Sequence, residues 1–215
     1  MLLSGELRPG ERLPPEKELS EKLGLSRSSL REAVKALELI RVLDVRRGDG
    51  TFVTSLEPGL LLEAMSFVVA LHEDTSILEL FEVRRILEPG AAALAARRCQ
   101  PADIDRLLAM LDEVDIGTSV EDLVAHDLKF HGYLSELSGN SYLSSLLESL
   151  SSHTLRARIW RGLTEEGSVA RTLAEHRAIV EAMASSDHEL VRSCVSVHIS
   201  GVERWLAQAA GPSAG

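Results

Sequence analysis

Cysteine is nearly absent: the 215-residue chain holds two, Cys99 and Cys194, far apart. That excludes a disulfide framework and a Cys-rich zinc module, and it points to a reduced, cytoplasmic protein. Long apolar runs are also missing. The longest, about Leu60 to Leu71, is interrupted by Glu63 and is too short to span a bilayer. The start, Met1-Leu2-Leu3-Ser4-Gly5, lacks the basic region and apolar core of a signal peptide. Aromatics make up only 4% of the chain. Ala, Leu, Glu and Arg dominate instead, and they favour helices.

The net charge of −10 argues against a nucleic-acid partner, but it is unevenly spread. Residues 1–54 hold 10 Lys/Arg and 9 Asp/Glu, a balance of +1, and the remainder carries −11. The acidity belongs to one part of the chain, so the first part can still meet a polyanion if its bases share a face.

Pro14-Pro15 suits the opening of a short helix, which Gly24 stops. Leu19 and Leu23, four apart, form its expected buried stripe. Ser26 reads as the N-cap of a second helix reaching about Ile40, with Leu30, Val34 and Leu37 facing inward. Two short helices joined by Gly24-Leu25-Ser26 make a helix-turn-helix. Val42 to Arg47, a turn at Gly48-Asp49-Gly50, and Thr51-Phe52-Val53 then form a hairpin. A hairpin there is the wing of a winged helix.

Ser55 to Gly59 reads as a linker. Beyond it no convincing strand is visible. Helices are predicted over about 60–72, 77–97, 101–113, 119–137, 141–161, 168–184 and 187–208. The fold expected is therefore mainly α: a winged helix-turn-helix over 1–54, a linker and connecting helix over 55–76, and an all-α bundle over 77–210. The tail from Gly211 to Gly215 is expected to fray.

The N-terminal turn of a recognition helix reaches base edges in the major groove, and arginine is the commonest reader because its fork matches guanine. Arg27 and Arg31 share one face there, beside Ser26, Ser28 and Ser29. Lys17 and the wing residues Arg46, Arg47 and Gly48 complete the candidate DNA surface. Alone, such a basic face reads as solvated helix. The helix pair, polar first turn and basic hairpin together favour DNA.

These residues carry a resemblance. The stretches from Arg8 to Leu19, from Leu23 to Ala33 and from Arg46 to Val53 resemble the winged-helix domain of GntR-type bacterial transcription regulators. The resemblance implies that Ser26, Arg27 and Arg31 read the operator, that Lys17 is a DNA-contacting base, and that Gly48 enters the minor groove. It also places a first helix ahead of Ser4-Gly5, little of which is in this sequence, and a glycine where this chain has Arg41. A left-handed backbone at that residue would cost about 1–2 kcal/mol.

In the second part, Asp127 and His131 lie four apart on one helix face. His176 and His198 sit among apolar neighbours at helical spacing. Imidazole and carboxylate ligands from three helices can meet one divalent metal. Each histidine singly reads as a satisfied core residue, and His72, His126, His153 and His188 are expected at the surface or at helix ends. Residues 77–208 resemble the all-helical FCD effector domain of the FadR subgroup. The carriers are Glu82 to Glu88, Asp127 to His131 with Ser138-Gly139-Asn140, Glu175 to Ile179, and Val197-His198-Ile199. The resemblance implies that Asp127, His131, His176 and His198 bind a divalent metal, zinc foremost, with nickel or manganese as alternatives. It further implies open positions for a small carboxylate effector, with Arg84 as an inward counter-charge. Arg156 and Arg158 are further effector-binding candidates. Trp160 and Trp205 read as core or interface anchors.

The expected function is a ligand-responsive regulator, a repressor, binding palindromic operator DNA as a homodimer without a membrane partner. The alternative is a metal-dependent hydrolase using the Asp/His/His/His site. Against it, no motif places a spare general base, and residues 1–54 would have no role.

Overall fold

The computed structural model describes residues 1–56 and 77–209. The helix expected over 60–72, most of the linker and the tail lie outside the described residues. The described parts fall into two compact units, one on each side of residues 57–76.

The first unit opens its helices at α1 (Glu16–Leu23) and α2 (Arg27–Leu39), followed by β1 (Leu43–Arg46) and β2 (Gly50–Val53). Gly24 stops α1 in the left-handed conformation. The Ser26 Oγ caps α2 by accepting from the Ser29 amide. The strands pair antiparallel with Leu43 opposite Val53 and Arg46 opposite Gly50. The segment before α1 joins this hairpin, a pairing that no local signal announces. Leu13 N donates to Thr51 O and Val53 N donates to Glu11 O, both at 2.8 Å, so residues 10–13 lie along the free edge of β2.

Leu19, Leu30, Leu43 and Val53 are buried in this unit. Leu23 and Leu37, expected inside, are 45% and 37% exposed. Leu23 is the last residue of α1, and Leu30 is the one residue of α2 that is fully buried. Arg41 has φ of 59°, the left-handed backbone whose cost was anticipated.

The second unit is helical throughout its described residues: α3 (Ile77–Arg98), α4 (Pro101–Leu111), α5 (Val120–Leu137), α6 (Ser141–His153), α7 (Leu155–Thr164), α8 (Ser168–Ala184) and α9 (His188–Ala209). A stripe of small buried residues on α3, from Ala91 to Ala96, lets neighbouring helices approach closely. Phe81, Phe130, Ile179, Met183, Val195 and Ile199 belong to the core between α3, α5, α8 and α9.

One helix was expected over 141–161. The structure breaks it at Thr154, which ends α6 and starts α7. The Ser151 carbonyl accepts from the Thr154 amide, from Thr154 Oγ1 and from Arg158 Nη2. These bonds occupy the acceptor that a continuous helix would offer to the amide of residue 155.

Candidate metal centre and nucleic-acid interface

Four side chains from three helices converge inside the second unit. The α5 helix presents Asp127 and His131, α8 presents His176, and α9 presents His198, all buried. Asp127 Oδ1 lies 3.1 Å from His176 Nε2 and 3.6 Å from both His131 Nε2 and His198 Nε2. The His131 and His198 Nε2 atoms are themselves 3.1 Å apart. Donors about 2.1 Å from a common ion stand roughly 3.0–3.4 Å from one another. The 3.1 Å pairs fall in that range, and all four donor atoms lie within 4.8 Å of one another, close enough for small side-chain shifts to bring them onto one ion.

The far sides of two rings explain their orientation. His198 Nδ1 donates to Glu175 Oε2 at 2.8 Å. His131 Nδ1 faces Glu88 Oε2 at 3.2 Å. A carboxylate behind an imidazole holds the proton on that side and turns the other nitrogen's lone pair inward. Two such lone pairs and a carboxylate oxygen then point at one another, an arrangement that needs a cation or a proton between them. The donor set therefore fits a divalent metal such as zinc.

The electrostatics agree. Burial pulls the His198 imidazolium toward neutrality, but its bonds to Asp127 and Glu175 outweigh this and raise its pKa to about 9. Burial dominates at His176, which is lowered to about 4 despite its bond to Asp127. Burial works against the Asp127 carboxylate too, yet Arg158 and the surrounding imidazoles hold its pKa well below the usual range.

Two arginines frame the cluster. The buried Arg84 donates through Nε to Glu88 at 2.5 Å and through Nη1 to Thr154 Oγ1 at 3.0 Å. It is both the inward arginine and the i+4 partner of Glu88. Arg158 pairs with Asp127 and, like Arg84, lines a narrow cavity of about 40 Å³ beside Asp127 and His198. Arg156 is exposed and away from that cavity. Two residues along α7 turn it from the face that carries Arg158, so the placement expected for Arg156 is corrected to Arg158.

His126 is a second correction. It is buried, with Nε2 2.8 Å from the Met110 carbonyl oxygen. Leu123 at i−3 and Phe130 at i+4 were the apolar spacing that could have found it. His153 and His188 stand at helix ends as expected, and His72 lies outside the described residues. Trp160 is half-exposed and meets Trp205 edge-on at 4.8 Å, so it is no core anchor. Glu88 and Glu175, which orient the rings, were visible in the sequence only as helix-spaced acids.

In the first unit, Lys17, Ser26, Arg27, Ser28, Ser29, Arg31, Arg46, Arg47 and Gly48 are all exposed. The Ser26 Oγ contacts the Ser28 and Ser29 hydroxyls within 2.9 Å, so part of this polar turn is committed to capping. Arg31 Nε donates to Glu16 across from α1 at 3.0 Å. Arg46 pairs with Asp44 and lies over the Phe52 ring. Gly48, with φ of 81°, turns the wing.

Residues 1–53 match the family model "Bacterial regulatory proteins, gntR family", and residues 79–201 match the FCD domain. The chain belongs to the gntR family. Its relatives include the HTH-type transcriptional regulator LutR of Bacillus subtilis, 31% identical over 96% of both chains. The galactonate operon transcriptional repressor of Escherichia coli is 26% identical over 96% of this chain and 92% of its own length. Among solved structures, a Streptococcus agalactiae GntR protein superposes with a TM-score of 0.67 at 29% identity, covering 95% of this chain and 94% of its own. This GntR-family chain is thus a transcriptional regulator with an FCD domain, and the hydrolase reading has no counterpart among these relatives. Among the described residues, no helix is long and apolar enough to cross a membrane.

Proposed function

We propose that this regulator is a cytoplasmic, homodimeric repressor whose operator affinity is set by a small carboxylate bound at a divalent metal in the FCD domain. The observation that carries the reading is the convergence of three imidazole nitrogens and Asp127 Oδ1, with Glu88 and Glu175 behind two of the rings. Asp127, His131, His176 and His198 would hold the ion, zinc foremost. With four protein donors in place, the ion would take up a carboxylate oxygen by expanding beyond four-coordination, and it would supply the Lewis-acidic charge that holds it.

The chain's own residues do the rest. Arg84 and Arg158 offer guanidinium forks at the cavity wall, suited to carboxylate recognition. Arg84 also reaches Thr154, the junction of α6 and α7, so a ligand that pulls on this guanidinium bears on that break. Such a link between sites is worth about 1–3 kcal/mol in regulators. The operator side would be residues 1–54, with Arg27, Arg31 and the Ser26–Ser29 turn at base edges and Lys17, Arg46, Arg47 and Gly48 at the backbone and minor groove. Residues 55–76 would connect this domain to the effector and dimerisation domain, 77–210. A dimer would place two recognition helices on a palindrome. The name of the galactonate operon relative supports the repressing sign.

Metal content of the protein, purified without chelator or nickel resin, tests the reading beside an Asp127→Ala/His176→Ala variant. About one divalent ion per chain, lost in the variant, is expected. Absence of metal from both would remove the sensing mechanism while leaving the regulator intact.

A further inference from the structure

The wing is wider than its two strands. The segment at residues 10–13 pairs with the free edge of β2, which sets Arg12 opposite Phe52. Across the hairpin Phe52 opposes Asp44, and Gly50 opposes Arg46. Paired residues share one face of a sheet, so Arg12, Phe52, Asp44 and Arg46 rise from the same side. The opposite side carries Leu43 and Val53, both buried. Arg12 therefore belongs to the outer face of the hairpin.

Its guanidinium has a defined place there. A side-chain carbon added at Gly50 would stand 2.6 Å from Arg12 Nε and 3.1 Å from Cζ. The group lies across the bare Cα of Gly50, at the turn end of the hairpin, and any side chain at that residue would displace it. Arg46 fills the neighbouring place, 4.3 Å from the Phe52 ring, with its Nε bonded to Asp44 at 2.8 Å.

Charge distinguishes the two arginines. The hairpin by itself is neutral, because Arg46 and Arg47 balance Asp44 and Asp49. A neutral wing gains little from a polyanion. Arg12 adds a cation to it, and among the described residues no carboxylate forms an ion pair with Arg12. Glu11, next to it in the chain, accepts from the Arg8 amide at 2.8 Å. An exposed guanidinium already laid against backbone gives up less freedom when it meets a ligand.

We propose that Arg12 is part of the wing's DNA contact: lying across Gly50, its guanidinium forks onto a backbone phosphate beside the groove that the wing enters. This rests on the operator side proposed above. The segment at residues 10–13 then acts as a third strand of the wing and gives it the positive charge that the hairpin lacks. A phosphate contact carries no sequence information, so Arg12 sets affinity and salt dependence, while Arg27 and Arg31 set the choice of site.

Fluorescence anisotropy with the full chain tests this on two labelled duplexes, one selected from a random library by the wild-type protein and one with the selected sequence scrambled. Arg12→Gln is expected to weaken both by about three- to tenfold near physiological salt. The slope of log affinity against log salt should shrink by about one. Arg12→Lys keeps the charge and should keep the wild-type slope. The slope is the deciding readout, since a smaller folded fraction lowers affinity without changing it. Weaker binding of Arg12→Gln at an unchanged slope would assign Arg12 a structural role and overturn the proposal, as would no change at all. A loss confined to the selected duplex would mean that Arg12 reads bases and would overturn the phosphate contact. Failure of the wild-type chain to bind either duplex would overturn the operator side and this proposal with it.

Discussion

Glu175 Oε2 accepts from His198 Nδ1 at 2.8 Å, on the side of the ring turned away from the three other cluster residues. The carboxylate fixes the tautomer and aims Nε2 inward. Glu175→Gln keeps the shape and removes the charge. Metal affinity is expected to fall by about 10–100-fold, with the fold retained, as competition against a calibrated chelator would read. Unchanged affinity would mean that the bond is incidental to the cluster.

The metal-free protein is expected to be most stable near pH 6.5 and to lose stability on both sides. His176 has its pKa lowered from 6.5 to about 4. Between those values the unfolded chain takes a proton that the native ring refuses, so stability drops as pH falls. Asp127, held below 3.8, adds to the acid limb, because its contribution is lost as pH falls through its folded value. His198 is raised from 6.5 to about 9. Its contribution is complete below 6.5 and disappears as pH climbs through 9. Thermal melts across this range should trace the two limbs, and His198→Asn or bound zinc should flatten the alkaline one. A melting temperature constant from pH 6.5 to 9 in the metal-free wild type would contradict the charge pattern at His198.

Arg27 and Arg31 project from the first turns of α2 into solvent, and Arg31 is already steadied by Glu16. Replacing either with alanine is expected to weaken specific operator binding by about tenfold or more. Carboxylate and metal binding should not change, since both are proposed for the other unit. Fluorescence anisotropy with operator DNA and calorimetry with the acid would separate the two. Parallel loss of both activities would argue against independent modules.

Arg41 occupies left-handed backbone at φ 59°, with its carbonyl accepting from Thr54 Oγ1 at 2.7 Å. Arg41→Gly relieves about 1–2 kcal/mol of side-chain clash and returns about 0.5–1 kcal/mol of chain entropy to the unfolded state. The net expectation is a gain of about 1 kcal/mol or less, seen as a higher melting temperature of the winged-helix transition. A lower one would mean that the arginine's own contacts outweigh the strain.

The winged helix was legible because its signals are local. Gly24, the Ser26 cap and the Gly48–Gly50 turn each act within a few residues, and Asp127 and His131 share a face through helical spacing alone. What escaped depended on contacts distant in sequence. The strand-like segment at residues 10–13 exists through its bonds to β2. The break at Thr154 depends on a carbonyl shared with Arg158 and on a partner in α3. The choice of Arg158 over Arg156 is a question of which way a helix is rotated, and sequence spacing gave both equal standing. His126 is buried because Leu123 and Phe130 bracket it at core spacing, against the surface or helix-end position expected for it.

The cluster's donors come from segments far apart: 49 residues separate Asp127 from His176, and 67 separate His131 from His198. An ion held there would fasten α5, α8 and α9 together. Opening those helices would then cost more with the ion than without it, so hydrogen exchange in α5, α8 and α9 would report the ion even where no side chain moves.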